Sequence, residues 1–151
     1  MNILIKNGTI VSSTETKKES LLFSKGKIID IGETDPKIKP DRIIDASNKL
    51  VFPGGIDPHV HLALPTPAGP SSDDFLSGSL AALHGGTTTI IDFETPNRGQ
   101  PLTEALEQRI NEAQHSLVDY SFHVSPVEWN ATVEQEIIKC ITSGFPSLCI
   151  L

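Results

Sequence analysis

Two histidines stand one residue apart in the stretch PGGIDPHVHL, residues 53–62. The stretch follows the apolar residues Leu50-Val51-Phe52 and opens with a Pro-Gly-Gly turn, and the pattern after that turn predicts a β-strand. Side chains at positions i and i+2 of a strand point to the same face, so the rings of His59 and His61 should lie side by side. Two buried imidazoles are costly unless each ring has a partner. A divalent metal ion is the simplest partner, and we predict that His59 and His61 are metal ligands.

The other histidines have structural explanations. His84 falls at a predicted helix end, where a cationic side chain suits the helix dipole, and His115 falls on an exposed helix face. His123 lies on a predicted strand and could face the interior of a barrel. A hydrogen-bonded core histidine is the favoured interpretation there, with metal ligation as the alternative.

Structural roles are also predicted for several acidic residues and one cysteine. Asp57 is predicted to cap or orient the end of its strand, with a role behind a histidine as the alternative. Asp92 and Glu94 come near the end of a later strand, at the rim of the candidate site, and a structural role is favoured over a functional one. Cys140, on a predicted helix, is expected to act as a small buried hydrophobic residue.

Composition excludes several functional classes. The chain has 151 residues, 38% of them hydrophobic, and 12 basic against 19 acidic residues set its net charge at −7. This balance argues against a nucleic-acid or anionic membrane surface. Cys140 and Cys149 form neither a disulfide framework nor a CxxC metal motif. Without a signal peptide or an apolar run of about 20 residues, we predict a cytoplasmic protein that does not span a membrane.

The first 52 residues alternate in the manner of short strands. Asn7-Gly8 predicts a hairpin between the first two strands, and Lys25-Gly26-Lys27 predicts another tight turn. We predict a β-meander or partial β-sandwich module over residues 1–52. A sheet of this size with one apolar face must pack against another surface.

Beyond Phe52 the pattern changes to strands that alternate with helices. The predicted elements are a strand over 55–62, a helix over 75–83, a strand over 87–93, a helix over 103–117, a strand over 119–124, a helix over 131–142 and a strand over 145–151. This alternation is typical of βα units on a parallel sheet. A (β/α)8 barrel takes roughly 250 residues. We therefore predict an α/β protein in which the β-sandwich module precedes the first half of a (β/α)8 TIM barrel, residues 53–151, ending in strand four.

Several motifs together identify a family resemblance. PGGIDPHVHL is followed by DDFLSGSLAALHGGTTTIIDF, and the similarity continues through ALEQRINEA, DYSFHVSPVEWN and SGFPSLCIL. A bare HxH pair is weak evidence, but this pair in this context is specific. The chain resembles the dihydropyrimidinase/hydantoinase branch of the amidohydrolase superfamily over essentially its whole length.

The resemblance implies a β-sandwich beside a (β/α)8 barrel, with two zinc ions at the carboxyl ends of the barrel strands. In such enzymes a metal-activated hydroxide attacks the ring amide of a dihydropyrimidine or a hydantoin. The first strand supplies two histidines, which His59 and His61 match. The fourth supplies a carboxylated lysine that bridges both metals, and here Cys149 occupies that position. A thiolate is shorter and offers one soft donor, although it can bind zinc. His59, His61 and Cys149 are thus the predicted metal ligands.

Family ligands from later strands, two histidines and an aspartate, have no counterpart in these 151 residues. We therefore expect this chain to have little or no hydrolase activity alone, and we assign no catalytic or substrate-binding residue. The loop over 64–70 either covers a substrate or is a plain connector. A non-catalytic scaffold or assembly module is the alternative function. An open half-barrel would leave strand edges and apolar surface exposed, which predicts a homo-oligomer.

Overall fold

A computed structural model describes residues 1–32 and 38–150 of the chain. The chain divides into two compact units, an N-terminal unit over Met1–Pro53 and a C-terminal unit over Gly54–Leu151. Each unit is described by itself below. Leu151, the last residue of the predicted fourth strand, lies outside the described residues.

The N-terminal unit contains two sheets of short strands. Its strands are β1 (Asn2–Lys6), β2 (Thr9–Val11), β3 (Thr16–Lys18), β4 (Ser20–Ser24), β5 (Lys27–Gly32), β6 (Arg42–Asp45) and β7 (Leu50–Val51). One sheet has the order β5-β4-β1-β6 and the other the order β3-β2-β7. Each sheet mixes antiparallel and parallel pairs, since β1 pairs antiparallel with β4 and parallel with β6. Two separate sheets are thus present, and their arrangement as a sandwich stays a prediction.

The two turns predicted in this unit have different outcomes. The Lys25-Gly26 turn is confirmed, because both residues have positive φ, 50° and 75°, and they connect the antiparallel strands β4 and β5. This conformation matches the right-handed twist of a hairpin. The hairpin at Asn7-Gly8 is wrong. Asn7 does take a left-handed φ of 64°, but β1 and β2 enter different sheets after it. The Asn7-Gly8 signal correctly marked a turn, but β1 pairs with β4 and β6 and β2 pairs with β3 and β7.

The C-terminal unit is a mixed α/β structure built on a parallel sheet. Its strands are β8 (Gly55–Val60), β9 (Pro65–Thr66), β10 (Gly69–Pro70), β11 (Thr87–Glu94), β12 (Asp119–Val124) and β13 (Ser147–Leu148), and its helices are α1 (Phe75–His84), α2 (Leu102–Ala113) and α3 (Ala131–Thr142). The main sheet has the order β13-β12-β11-β8, with every pair parallel. The predicted α/β unit with a parallel sheet is confirmed, and its assignment to the first half of a (β/α)8 TIM barrel stays a prediction. The small β9-β10 pair lies within the region predicted as a loop.

Local signals explain where the helices begin and end. Asp74 caps α1 by accepting a hydrogen bond from the Ser77 N–H, and the Asp74 backbone N–H donates in turn to the Ser77 hydroxyl oxygen. Asn130 caps α3 in a similar way. The helix predicted over 103–117 is shorter than expected. It ends at Ala113, because a turn follows in which the Ser116 N–H bonds to the Ala113 carbonyl.

The core of the C-terminal unit lies between its sheet and its helices. Its buried members are apolar side chains from all three helices, from two neighbouring strands and from the residue before β12: Phe75, Ile90, Leu102, Leu106, Ala113, Val118, Phe122, Val124, Val133, Ile137 and Cys140. Cys140 is 1% exposed, which confirms its predicted place in the core. Among the described residues, no helix has the length and apolar character that would carry it across a membrane.

Candidate metal centre

His59 and His61 lie side by side at the carboxyl end of β8. His59 is on the strand and His61 follows its last residue, Val60. Their ring centroids are 5.1 Å apart, and the ring planes are nearly perpendicular at 83°. The alternation of strand side chains therefore produced the predicted pair. Both residues are exposed, so the expectation that the rings share a buried environment is not met.

Phe93, near the carboxyl end of β11, forms an aromatic floor beneath the histidines. Its ring centroid lies 4.6 Å from that of His59 and 4.7 Å from that of His61, and it stacks on His61 with an interplanar angle of 24°. Phe93 itself is only 8% exposed. It therefore holds the two imidazole faces while their edges stay open.

His123 on β12 also packs against the Phe93 ring, with 4.9 Å between centroids. Its Nε2 lies 2.8 Å from the Pro58 carbonyl oxygen and its Nδ1 lies 2.6 Å from the Ser147 hydroxyl. Because a carbonyl only accepts, Nε2 carries the proton, and in the neutral ring Nδ1 accepts from Ser147. The structure confirms the hydrogen-bonded histidine favoured from the sequence. His123 therefore links β12 to both β8 and β13 through its two ring nitrogens.

Asp92 and Glu94 flank Phe93 in sequence but point away from the histidines. Asp92 is fully buried and binds the Arg109 guanidinium of α2, with 3.0 Å between Oδ2 and Nη2. Glu94 is 1% exposed. The expectation that both lie at the rim of the site is wrong, because strand alternation sends the neighbours of Phe93 toward the helices.

Glu94 is a buried carboxyl group without a hydrogen-bond partner among the described residues. Burial raises its pKa to about 8, while the Ser125 backbone N–H and the charge of Arg109 act in the opposite direction. At neutral pH the group is therefore mostly a neutral acid. It faces a cavity of about 190 Å³, whose lining also includes Arg109, Gln108, Asn97 and Leu64.

The remaining histidines take no part in this geometry. The His84 ring donates from Nδ1 to the Leu80 carbonyl oxygen at 2.8 Å, which satisfies the end of α1. His115 is exposed and follows α2 rather than lying on it. Asp57 accepts a hydrogen bond from the His59 backbone N–H at 3.1 Å, which agrees with its predicted role of orienting the strand end.

Comparison with known proteins shows the family to which the chain belongs. The profile of the amidohydrolase family matches residues 50–143, which include both histidines and all of β8, α1, β11 and α2. The chain belongs to the amidohydrolase family.

The most similar proteins include named members of this family. The chain is 46% identical to a D-hydantoinase of Geobacillus stearothermophilus over 142 residues, which is 93% of this chain and 30% of that protein. It is 43% identical to a dihydropyrimidinase of Dictyostelium discoideum, over 89% of this chain and 27% of the relative. The chain thus spans less than a third of the length of these curated relatives.

Solved structures give the same result. A crystal structure of D-hydantoinase superimposes with a TM-score of 0.92 at 45% identity, covering 98% of this chain and 32% of the other. The dihydropyrimidinase from Brevibacillus agri NCHU1002 gives a TM-score of 0.93 at 35% identity over 98% and 32% of the two chains. The C-terminal unit therefore carries the parallel half-barrel sheet of a hydantoinase fragment.

The histidine pair of this amidohydrolase chain fits two positions of a metal site. Two imidazoles can share one ion at the observed ring separation of 5.1 Å, because each Zn–N bond is about 2.0–2.1 Å long. No hydrogen bond from the described residues engages the ring nitrogens of either histidine, in contrast to those of His123. Within the described part of the chain, no group of three histidine, cysteine or acidic side chains is close enough to hold an ion.

Cys149 is the third residue predicted as a ligand. It is half-buried directly after β13, where its backbone N–H donates to the Val124 carbonyl oxygen at 3.0 Å. This bond extends the β12-β13 pairing and holds Cys149 at the carboxyl end of the sheet. The structure brings His59 and His61 together, and the inclusion of Cys149 in their site stays a prediction.

Phe93 and Arg109 are two residues around the histidine pair that the sequence reasoning missed. Phe93 was read only as the end of a buried strand, and nothing local distinguishes it from other core aromatics. Arg109 had a weak signal, since a charged residue there interrupts the apolar face formed by Leu106, Ile110 and Ala113. A buried arginine needs an acidic partner, and the structure supplies Asp92 of β11.

Proposed function

We propose that this chain supplies the first metal-binding strand of a hydrolase that opens cyclic amides such as hydantoins or dihydropyrimidines. The observation that carries the proposal is the pair His59 and His61, side by side at the carboxyl end of β8 with their ring edges open. In parallel α/β barrels this end of the strands is where active sites form. The similar proteins named D-hydantoinase and dihydropyrimidinase support the choice of substrate class.

In this proposal each residue of the pair has a defined task. His59 and His61 hold a zinc ion through their free ring nitrogens, and Phe93 limits their movement by packing against both rings. A zinc ion held there would supply Lewis-acid chemistry that activates water. Cys149 extends the ligand set from β13, and a second zinc ion belongs to the same site. Asp57 fixes the His59 backbone from behind.

We expect no turnover from the 151-residue chain by itself. A zinc centre usually takes three or four protein ligands. Among the described residues, His59, His61 and Cys149 are not grouped closely enough to hold an ion together, so Cys149 would join the pair only after the segment that follows β13 moves toward it. Asp92 and Glu94 point away from the open edges of the histidines and are not placed to serve as a general base there.

Metal titration of the purified chain tests the proposal. The chain is first freed of metal with a chelator and then titrated with Zn²⁺ by calorimetry, beside His59→Ala, His61→Ala and the matched control His115→Ala. We expect each site variant to lose at least tenfold in zinc affinity, and the control to keep wild-type affinity. Equal zinc binding by all variants would show that the metal sits elsewhere and would refute the proposal.

A Cys149→Lys variant tests the ligand set further. Lysine restores the family residue at that position, and its effect on zinc binding reports whether the position faces the histidines. We expect Cys149→Ala to weaken zinc binding, since one soft donor is lost. Hydantoin and dihydrouracil are offered to each variant, and no measurable hydrolysis is expected from wild type.

A non-catalytic assembly role is the second candidate, and one observation favours it. The parallel sheet has the order β13-β12-β11-β8, so β13 and β8 stand at its edges, and the large apolar side chains of Ile56 and Ile150 are 66% and 82% exposed. Exposed edges and apolar surface promote pairing between chains. Light scattering that finds a defined oligomer, together with no zinc affinity at His59 and His61, would favour this role over the enzyme.

A further inference from the structure

The backbone of Leu62, the residue directly after His61, is held at both of its polar atoms by buried charged side chains. Its N–H donates to Asp92 Oδ2 at 3.0 Å. Its carbonyl oxygen accepts a hydrogen bond from Nη2 of Arg109. Asp92 comes from β11 and Arg109 from α2, so two elements fix one peptide segment at the carboxyl end of β8.

The same carboxylate also fixes the aromatic floor of the site. Asp92 Oδ1 accepts a hydrogen bond from the Phe93 backbone N–H. The ring of Phe93 contacts both imidazoles of the pair. Asp92 therefore reaches the two histidines by two routes, through the backbone next to His61 and through the ring that His59 and His61 share.

Arg109 is itself held in place from three directions. Its guanidinium binds Asp92 and Glu112, and its central carbon lies 4.7 Å above the centre of the Phe75 ring. The side chain is 11% exposed and that of Asp92 is 1% exposed. A planar guanidinium can bridge a carboxylate and a carbonyl oxygen at once, which a lysine ammonium does less well.

The side chain of Leu62 is anchored on the other side of the segment. A Cβ atom at Gly78 of α1 would lie 2.4 Å from Leu62 Cδ2, so the absence of a side chain at Gly78 lets Leu62 pack against the helix. The segment after β8 is thus fixed at its N–H, its carbonyl oxygen and its side chain. His61 precedes this fixed point by one residue and has little freedom to shift.

A buried ion pair contributes little net stability to a fold, because both charges lose their hydration. Removing two charges from water carries a desolvation penalty, and apolar replacements of a buried ion pair are often equally stable. The bonds formed by this pair are directed at the backbone beside His61 and beside Phe93, which is a matter of geometry more than of stability. Breaking one partner would leave the other charge buried and would release both contacts.

We propose that Asp92 and Arg109 are positioning residues that set the spacing and orientation of the His59/His61 pair. The proposal rests on the proposed function, since spacing matters only if the pair binds a metal. Neither residue touches the ion; both act through Leu62 and Phe93. Loss of either contact should let the imidazoles move apart and lower zinc affinity without removing a ligand.

The variants are chosen to separate positioning from stability. Asp92→Asn removes the charge with little change of shape, and Arg109→Met removes the donors. Arg109→Lys keeps the positive charge beside Asp92 but loses the guanidinium fork. Glu112→Gln is the matched control, because Glu112 also binds Arg109, yet its side chain is 53% exposed and no hydrogen bond among the described residues joins it to Leu62 or Phe93.

The first measurement uses the metal-free full chain. Carbon–proton NMR signals of the histidine rings report their position above Phe93, because an aromatic ring shifts the resonances of groups within a few ångströms of it. In wild type the His59 and His61 signals should be displaced from that of exposed His115. In Asp92→Asn and Arg109→Met we expect them to move toward His115, while circular dichroism shows the helices intact.

Zinc titration of the same variants gives the second measurement. We expect at least a tenfold loss of affinity in Asp92→Asn and Arg109→Met, a smaller loss in Arg109→Lys and none in Glu112→Gln. If Asp92→Asn and Arg109→Met fail to fold, the decision falls on Arg109→Lys. Unchanged histidine signals and unchanged zinc affinity, with only a lower unfolding midpoint, would overturn the proposal.

The two measurements also separate this proposal from the proposed function. If wild type binds no zinc, the metal site fails, whereas the NMR shifts still show whether Asp92 and Arg109 hold the histidine rings. If wild type binds zinc through His59 and His61 and the Asp92 and Arg109 variants bind equally well, the metal site stands and the positioning role is refuted.

Discussion

The two compact units of this chain hold their sheets in different ways. In the C-terminal unit, helices cover one face of a parallel sheet, and a cluster of buried apolar side chains fills the space between them. In the N-terminal unit, the described residues contribute Leu21, Leu22 and Ala46 as buried apolar side chains. This unit leaves large apolar side chains exposed: Ile28, Ile29, Ile31, Ile43, Leu50 and Phe52.

The difference shows how much of each unit depends on tertiary packing. The N-terminal unit is held mainly by strand pairing and a thin core, so its exposed isoleucines are available to cover another surface. The C-terminal unit has a core of its own and uses it to fix the ends of β8 and β11. Because this core fixes the ends of the two strands, the rings of His59 and His61 have a defined separation, which metal binding requires.

The largest expected effect comes from the core of the C-terminal unit. Phe122 is fully buried, and its ring packs against those of Phe75, Tyr120 and Phe145. Phe122→Ala should lower the free energy of unfolding by about 3–5 kcal/mol, because it removes apolar contacts and leaves a cavity. Urea denaturation followed by helical circular dichroism measures this, since α1, α2 and α3 all belong to this unit.

The control for this variant is Leu117→Ala on the same unit, where the side chain is 52% exposed. A surface change of this kind should stay within about 0.5 kcal/mol. A similar loss in both variants would mean that the buried cluster does not carry the stability of the unit.

A smaller loss is expected from the thin core of the N-terminal unit. Leu22, on β4 between β1 and β5, is 1% exposed. Leu22→Ala should cost about 2–3 kcal/mol, the low part of the range for such changes, because few buried neighbours surround the site. Amide hydrogen exchange of β1 and β4 measures it directly. Ile28→Ala on the neighbouring strand, 53% exposed, should leave this exchange nearly unchanged.

Should Leu22→Ala cost as much as Phe122→Ala, the contrast between a thin and a full core would not hold. The exchange rates of β1 and β4 would then have to reflect packing beyond the buried residues described for this unit.

The third prediction concerns pH and Glu94. Burial raises the pKa of this carboxyl from its ordinary value of 4.5 to about 8, so the unfolded chain binds fewer protons than the folded chain between these values. Stability from this group is complete below pH 4.5 and is lost as the pH rises to about 8. The free energy of unfolding of wild type should fall relative to Glu94→Gln by at most about 1.4 kcal/mol per pH unit.

Asp45 of the N-terminal unit shows the opposite dependence. Hydrogen bonds from the Asn7 side chain and from Ser47 lower its pKa to about 2, so its contribution is present above pH 3.8 and is lost as the pH falls through about 2. Between pH 4.5 and 8 it should therefore add no slope. Denaturation of wild type and Glu94→Gln at several pH values gives the comparison, and parallel curves would contradict the prediction.

Local signals in the sequence were sufficient for most of the elements. The β-branched run Thr87–Phe93 and the alternation over Asp119–Val124 lie within strands whose bounds match or extend the prediction by one residue. Asp74 and Asn130 mark the starts of α1 and α3 because a side chain there can accept the free N–H groups of the first turn. The HxH spacing placed both imidazoles on one face, since a strand repeats every second residue.

Other features depend on groups that are distant along the chain. The start of α2 has no side-chain cap of its own, and its Leu102 N–H is instead bound by Glu136 of α3 at 2.7 Å. The partner strands of β1 were likewise decided by β4 and β6 rather than by the turn at Asn7-Gly8. No window of neighbouring residues contains this information.

The sequence by itself determined which residue types face one another along β8, because backbone alternation and turn chemistry are local. The histidine pair, the family and the parallel half-barrel all follow from such patterns. Only the tertiary structure decided that Phe93 lies under both imidazoles and that Asp92 and Arg109 grip the segment after them. These contacts join residues from three elements, and their energies depend on burial and distance that exist only once the chain has folded.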